Sequence, residues 1–207
     1  MVPNEDLHGS APDKSDVALL IIDVINDLEF PEGDQILPFA LPMAHRIAEL
    51  KQRARRSDIP VIYVNDNFGR WRSDLNAQVE HCLKENVRGR PIVELLRPDE
   101  EDYFVLKPKH SGFFSTTLDT LLEYLQVEKL IITGIATNIC VLFTANDAYM
   151  RDFGLIVPSD CVAANTEELD RFALQEIHSL LKADTRASTE LDLRRSTRQG
   201  TAGSLRG

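Results

Sequence analysis

Lys129-Leu130-Ile131-Ile132-Thr133-Gly134-Ile135-Ala136-Thr137-Asn138-Ile139-Cys140-Val141 changes character midway. The first half is an apolar, β-branched run that ends at Thr133-Gly134, as a buried strand does. The second half opens a helical pattern near Asn138 that continues to Asp152. A strand that turns straight into a helix belongs to a βαβ unit, and so to a mostly parallel sheet. Cys140 falls in the first turn of that helix. There it meets the positive end of the macrodipole and unpaired backbone N–H groups. Both favour thiolate, the nucleophilic form. The competing reading of Cys140 is a small buried apolar residue.

Two other apolar runs end on reactive side chains. Val17-Ala18-Leu19-Leu20-Ile21-Ile22 is apolar throughout, as expected of a parallel strand covered on both faces, and Asp23 ends it. Tyr103-Phe104-Val105-Leu106 ends at Lys107. Carboxyl ends of neighbouring strands in an open α/β sheet converge on one crevice, where ligands bind. Taken singly, Asp23 reads as a turn carboxylate and Lys107 as a solvated strand-end charge. Three reactive types on three strand ends favour a catalytic reading.

Further strands are expected at 60–65, 155–158 and 185–188, and helices at 42–56, 73–86, 115–125, 138–152 and 166–182. The stretch 26–42 has loop chemistry, with Pro31-Glu32-Gly33-Asp34 as a turn. The fold class is therefore α/β: a three-layer Rossmann-like fold with a mostly parallel six-stranded sheet and helices on both faces. Residues 1–16 read as an irregular N-terminal arm, 17–190 as one domain, and 191–207 as a flexible tail or a partner-binding segment.

The 207 residues suit one domain, and 43% hydrophobic content suffices for a core. A net charge of −10 argues against a nucleic-acid or anionic-membrane surface. No stretch approaches a membrane span, and the first residues lack signal-peptide regions. Cys82, Cys140 and Cys161 have no metal-binding spacing and leave one unpaired, which suits a reducing compartment. The expected location is cytoplasmic.

Three segments carry a resemblance: Leu20-Ile21-Ile22-Asp23-Val24-Ile25-Asn26-Asp27-Leu28, Lys107-Pro108-Lys109-His110-Ser111-Gly112-Phe113-Phe114, and Thr133 to Val141. In this order and on these elements, the chain resembles the isochorismatase-like cysteine hydrolases. That superfamily includes nicotinamidases, carbamoylsarcosine amidase, ureidoacrylate and maleamate amidohydrolases, and isochorismatase. The resemblance implies a triad of Asp23, Lys107 and Cys140. Lys109 competes with Lys107, which aligns with the family motif. It also implies a cis peptide at Ile135-Ala136, an oxyanion hole from the N–H groups of Ala136 and Cys140, and a homo-oligomer.

The chemistry suits those roles. Asp23 can take the thiol proton and return it to a leaving amine. Lys107 favours thiolate and keeps the carboxylate ionised.

Two departures from the family pattern matter. Nicotinamidases carry an Asp-aromatic-His metal motif after the second strand, and Phe68 stands here where that histidine falls. A phenyl ring cannot coordinate, so no metal and no cofactor are expected. Ile25 stands where many members have glutamine. The retained cysteine favours amide over vinyl-ether chemistry.

The expected activity is metal-independent cleavage of a C–N bond in a small amide or ureido compound, through a thioester. The alternatives are a vinyl-ether hydrolase using Asp23 as acid, and a noncatalytic binding protein on the same scaffold. Phe30, Asn67, Arg70, Trp71 and Phe114 are the residues available to shape a substrate pocket.

Overall fold

The apolar run Val17–Ile22 forms β1. It lies inside the sheet and pairs in parallel with a strand on each side. The computed structural model describes residues 14–69, 74–84 and 86–193. Among these, the other strands are β2 (Val61–Asp66), β3 (Tyr103–Lys107), β4 (Lys129–Ile135), β5 (Gly154–Ile156) and β6 (Val162–Ala163). The order is β3-β2-β1-β4-β5, with β6 pairing the carboxyl end of β4. All registered pairs are parallel.

Alternation along β1 divides the core. Leu19 and Ile21 face one side of the sheet, and Ala18, Leu20 and Ile22 the other. Against the first face pack α1 (Gly33–Arg56), α2 (Leu75–Lys84) and α3 (Arg90–Leu95). Against the second pack α4 (Leu118–Leu125), α5 (Leu142–Tyr149) and α6 (Glu167–Ser179). The result is a three-layer α/β fold. No helix among the described residues is long and apolar enough to cross a membrane.

Several elements differ from the sequence expectation. Helix α1 begins at Gly33, not near Pro42. Pro38 and Pro42, four apart, lie on its exposed face, so the carbonyls they leave unpaired can meet water. Gly33 opens the helix because a Cβ there would sit 1.9 Å from the Leu28 carbonyl oxygen. The expected last strand at 185–188 is reduced to one bridge, Ile156 with Asp184, and Ser188–Glu190 is a 3-10 turn. The sixth strand is instead β6. Its two residues are too few to show a pattern in sequence.

Residues 191–193 continue the packed body. Leu191 is buried, and Arg53 on α1 donates to the carbonyls of Ser188 and Leu191 at 2.6 and 2.5 Å. The rest of the expected tail, 194–207, and most of the expected arm, 1–13, lie outside the described residues.

Candidate active site

Asp23, Lys107 and Cys140 meet at the carboxyl edge of the sheet. Asp23 follows β1 with φ +53°. Its N–H donates to the Val64 carbonyl at 3.0 Å, the last bond of the β1–β2 ladder before the chain leaves the strand. Gly134 sits beside it in β4. A Cβ on Gly134, at φ +111°, would lie 2.0 Å from the Ile22 carbonyl oxygen. Glycine thus lets β1 and β4 approach closely where Asp23 and the Cys140 turn emerge. Lys107 ends β3 and reaches back across β2, with its side chain fully buried.

The Lys107 Nζ lies 2.9 Å from Asp23 Oδ2 and donates to Cys140 Sγ at 3.5 Å. The Asp66 Oδ2 is also 3.5 Å from that Nζ. Asp23 Oδ1 accepts from the Asp66 N–H at 2.6 Å. Lys109 is exposed on the loop after β3. Cys140 is half-buried in a π-helical turn, Thr137–Val141, which leads into α5. The Ile135-Ala136 peptide just before this turn is cis. Thr137 Oγ1 donates to Asp170 on α6, and Thr144 Oγ1 donates to the Cys140 carbonyl at 2.7 Å. These bonds clip the turn to two helices.

The protonation states follow from burial and charge. Burial lifts the Asp23 pKa, and Lys107, with hydrogen bonds from Cys140, Lys107 and Asp66, offsets only part of the rise. Burial opposes the charge of Lys107, but Asp23, Cys140 and Asp66 outweigh it and hold its pKa above the ordinary ammonium value. Burial raises the Cys140 thiol, Asp23 raises it further, and Lys107 counters in part. The sequence led us to expect the helix terminus and Lys107 to favour thiolate. In this site desolvation and the Asp23 carboxylate outweigh Lys107, and the balance favours the neutral thiol at Cys140.

Sequence reasoning missed the layer behind Asp23. Asn65 is buried, accepts from the Ile25 N–H at 3.2 Å, and donates to the Ile25 carbonyl at 3.0 Å. It also donates to Gln78 Oε1 at 2.8 Å. Gln78 Nε2 in turn donates to the Asp66 carbonyl at 3.2 Å. This network fixes the backbone on both sides of the carboxylates, and it bonds Ile25 through its main chain alone. The only sequence signal was a polar residue closing the apolar run of β2.

The expected pocket residues are scattered in character. Asn67 is buried, and its Oδ1 accepts from the Gly69 N–H at 2.9 Å. Phe30 packs half-buried on the α1 side of the core. Phe114 is exposed. Arg70 and Trp71 lie outside the described residues. Phe68 is exposed just past β2. His81 bonds to Asp27 at 3.0 Å, and His110 lies against the ring of Phe143. Among the described residues no group of three or more His, Cys, Asp or Glu is placed to hold a metal ion.

Comparison with known proteins adds a family. The isochorismatase domain model matches residues 17–187. YaaI of Bacillus subtilis, an uncharacterized isochorismatase family protein, is 46% identical over 171 residues, covering 83% of this chain and 93% of YaaI. The ureidoacrylate amidohydrolase RutB of Methylobacterium radiotolerans is 29% identical over 198 residues, covering 82% and 76% of the two chains. The crystal structure of N-carbamoylsarcosine amidase from Thermoplasma acidophilum superposes with a TM-score of 0.64 at 25% identity, covering 85% and 98%.

Proposed function

The chain belongs to the isochorismatase family, and from that premise we propose that it is a cysteine-dependent hydrolase. It cleaves a C–N bond of a small amide or ureido compound through a thioester, without a metal. One observation carries this reading: a single buried ammonium, Lys107, contacts both Asp23 and Cys140.

In the proposed reaction Asp23 takes the Cys140 proton as Sγ bonds to the substrate carbonyl carbon. The carbonyl oxygen gains negative charge, and the N–H groups of Ala136 and Cys140 stabilise it. Collapse breaks the C–N bond, and Asp23 returns the proton to the leaving nitrogen. Water then attacks the thioester, with Asp23 again as base, and releases the acid and the thiol. Lys107 holds the Asp23 carboxylate in place and offsets charge on sulfur during the transfer. The raised resting pKa of the thiol fits a nucleophile deprotonated only as it attacks.

An ammonia-release screen over small amides and ureido acids tests this reading. A substrate found in that screen should leave an acyl adduct on Cys140 when quenched in acid and weighed by intact mass. Ammonia release with no adduct on any cysteine-containing peptide, under single-turnover conditions, would count against the thioester.

The pH profile provides a separate check. Asp23 must be ionised to accept the proton, and burial lifts its pKa despite Lys107. The value of kcat/KM should therefore fall on acidification through an apparent pKa above the ordinary carboxylate range. Lys107 keeps its charge past the ordinary ammonium value, so it should contribute no loss near neutrality. An acid limb at the position of a free aspartate would contradict a buried base.

A further inference from the structure

Asp66 is a carboxylate at the site to which the mechanism above gives no task. It ends β2 in register with Lys107. Its main chain is held three ways: the N–H by Asp23, and the carbonyl by Gln78 and Asn65. One carboxylate oxygen, Oδ1, accepts from the Phe68 N–H at 2.6 Å. The other, Oδ2, stands 3.5 Å from the Lys107 Nζ, the same distance as Cys140 Sγ. The Asp66 side chain is 28% exposed, against 8% for Asp23. A fixed carboxyl group, partly open to solvent, thus stands across one ammonium from Cys140. Lys107 is bracketed by two carboxyl groups, Asp23 and Asp66, beside Cys140.

We propose that Asp66 determines the substrate class: it accepts an N–H from a neutral amide or ureido group seated at Cys140 and repels a carboxylate brought to the same place. The word substrate rests on the hydrolase reading, but the selection itself does not. A neutral amide offers N–H donors that match Oδ2 without burying a second negative charge. An anionic group close to Asp66 meets like charge in a largely buried site, where screening is incomplete.

Two isosteric alkylating agents test this without any known substrate. Iodoacetamide is a neutral primary amide, and iodoacetate is its anionic counterpart. Each loses iodide as sulfur bonds to its methylene carbon. Site-resolved mass spectrometry gives the rate at Cys140 for both reagents, and the ratio cancels any change in thiol ionisation. The expected wild-type ratio favours iodoacetamide by about tenfold over the ratio for the urea-unfolded chain. Asp66→Asn should return the ratio most of the way to the unfolded value. Glu49→Gln, the same charge change on an exposed part of α1, should not.

A wild-type ratio no larger than that of the unfolded chain overturns the proposal, as does an Asp66→Asn ratio equal to wild type. A measurement on the unmutated protein guards against a variant that does not fold. N-carbamoylglycinamide should protect Cys140 from labelling at about a tenfold lower concentration than N-carbamoylglycine, and the reverse order overturns the proposal. Labelling needs no turnover. Absence of ammonia release alongside intact selectivity would therefore sink the hydrolase reading while upholding the role of Asp66.

Discussion

Cys140→Ala is expected to lower the proposed C–N bond cleavage by roughly 10⁴-fold or more, because removing the proposed nucleophile removes the covalent route. The fold should survive. Cys140 is half-buried in a turn that α5 and α6 hold by other bonds, from Thr144 to the Cys140 carbonyl and from Thr137 to Asp170. Loss of one thiol from a partly exposed position costs about 1 kcal/mol. Turnover and thermal unfolding measured on the same preparation separate the two effects. The same variant divides the hydrolase chemistries. A vinyl-ether hydrolase that used Asp23 as an acid would keep most of its rate without the thiol. Cys140→Ala with undiminished ammonia release would overturn the thioester, and a misfolded variant would show as a lost unfolding transition.

How far the site could be read from sequence depended on dimension. Asp23 and Lys107 were legible because each ends an apolar run, and the carboxyl end of a parallel strand has a known place in such folds. Cys140 was legible because a glycine-ended strand passes into a helix just before it. Its protonation state was not legible. Charge at a buried thiol depends on desolvation and on which carboxylate lies beside it, and both are properties of the packed molecule.

Asn65 and Gln78 were hidden for a related reason. They look like a strand-end polar residue and a helix-surface glutamine until β2 and α2 bring them together. Asp66 reads in sequence as part of a vacated metal motif, and only the β2–β3 register places it on Lys107. Helix α1 was misread at its start because two prolines inside a helix are costly unless both face water, and one sequence does not show which way they face.

Lys107→Met is expected to cost about 3–5 kcal/mol of folding stability at neutral pH, the usual penalty for removing one partner of a buried ion pair. The methionine fills the space of the lysine stem but leaves Asp23 without its cation. Lys107 has no exposed side-chain surface, and Asp23 has little, so water cannot readily replace the ammonium.

The pH dependence fixes the cause. Burial already holds the Asp23 pKa above its unfolded value, and loss of Lys107 removes the main opposing influence and raises it further. A carboxyl with a raised folded-state pKa binds more protons folded than unfolded. Its stability contribution therefore falls as pH rises from the unfolded pKa to the folded one. The deficit of Lys107→Met should accordingly be largest at neutral pH and shrink on acidification towards the ordinary carboxylate range.

Asp23→Asn in the same chain removes the stranded charge. The double variant should recover a good part of the loss, although neither variant can turn over if Asp23 is the base. Urea unfolding of wild type, both single variants and the double variant, at neutral and mildly acidic pH, measures this coupling. A Lys107→Met deficit under 1 kcal/mol, or one that grows on acidification, would mean that Asp23 does not depend on Lys107 for its charge.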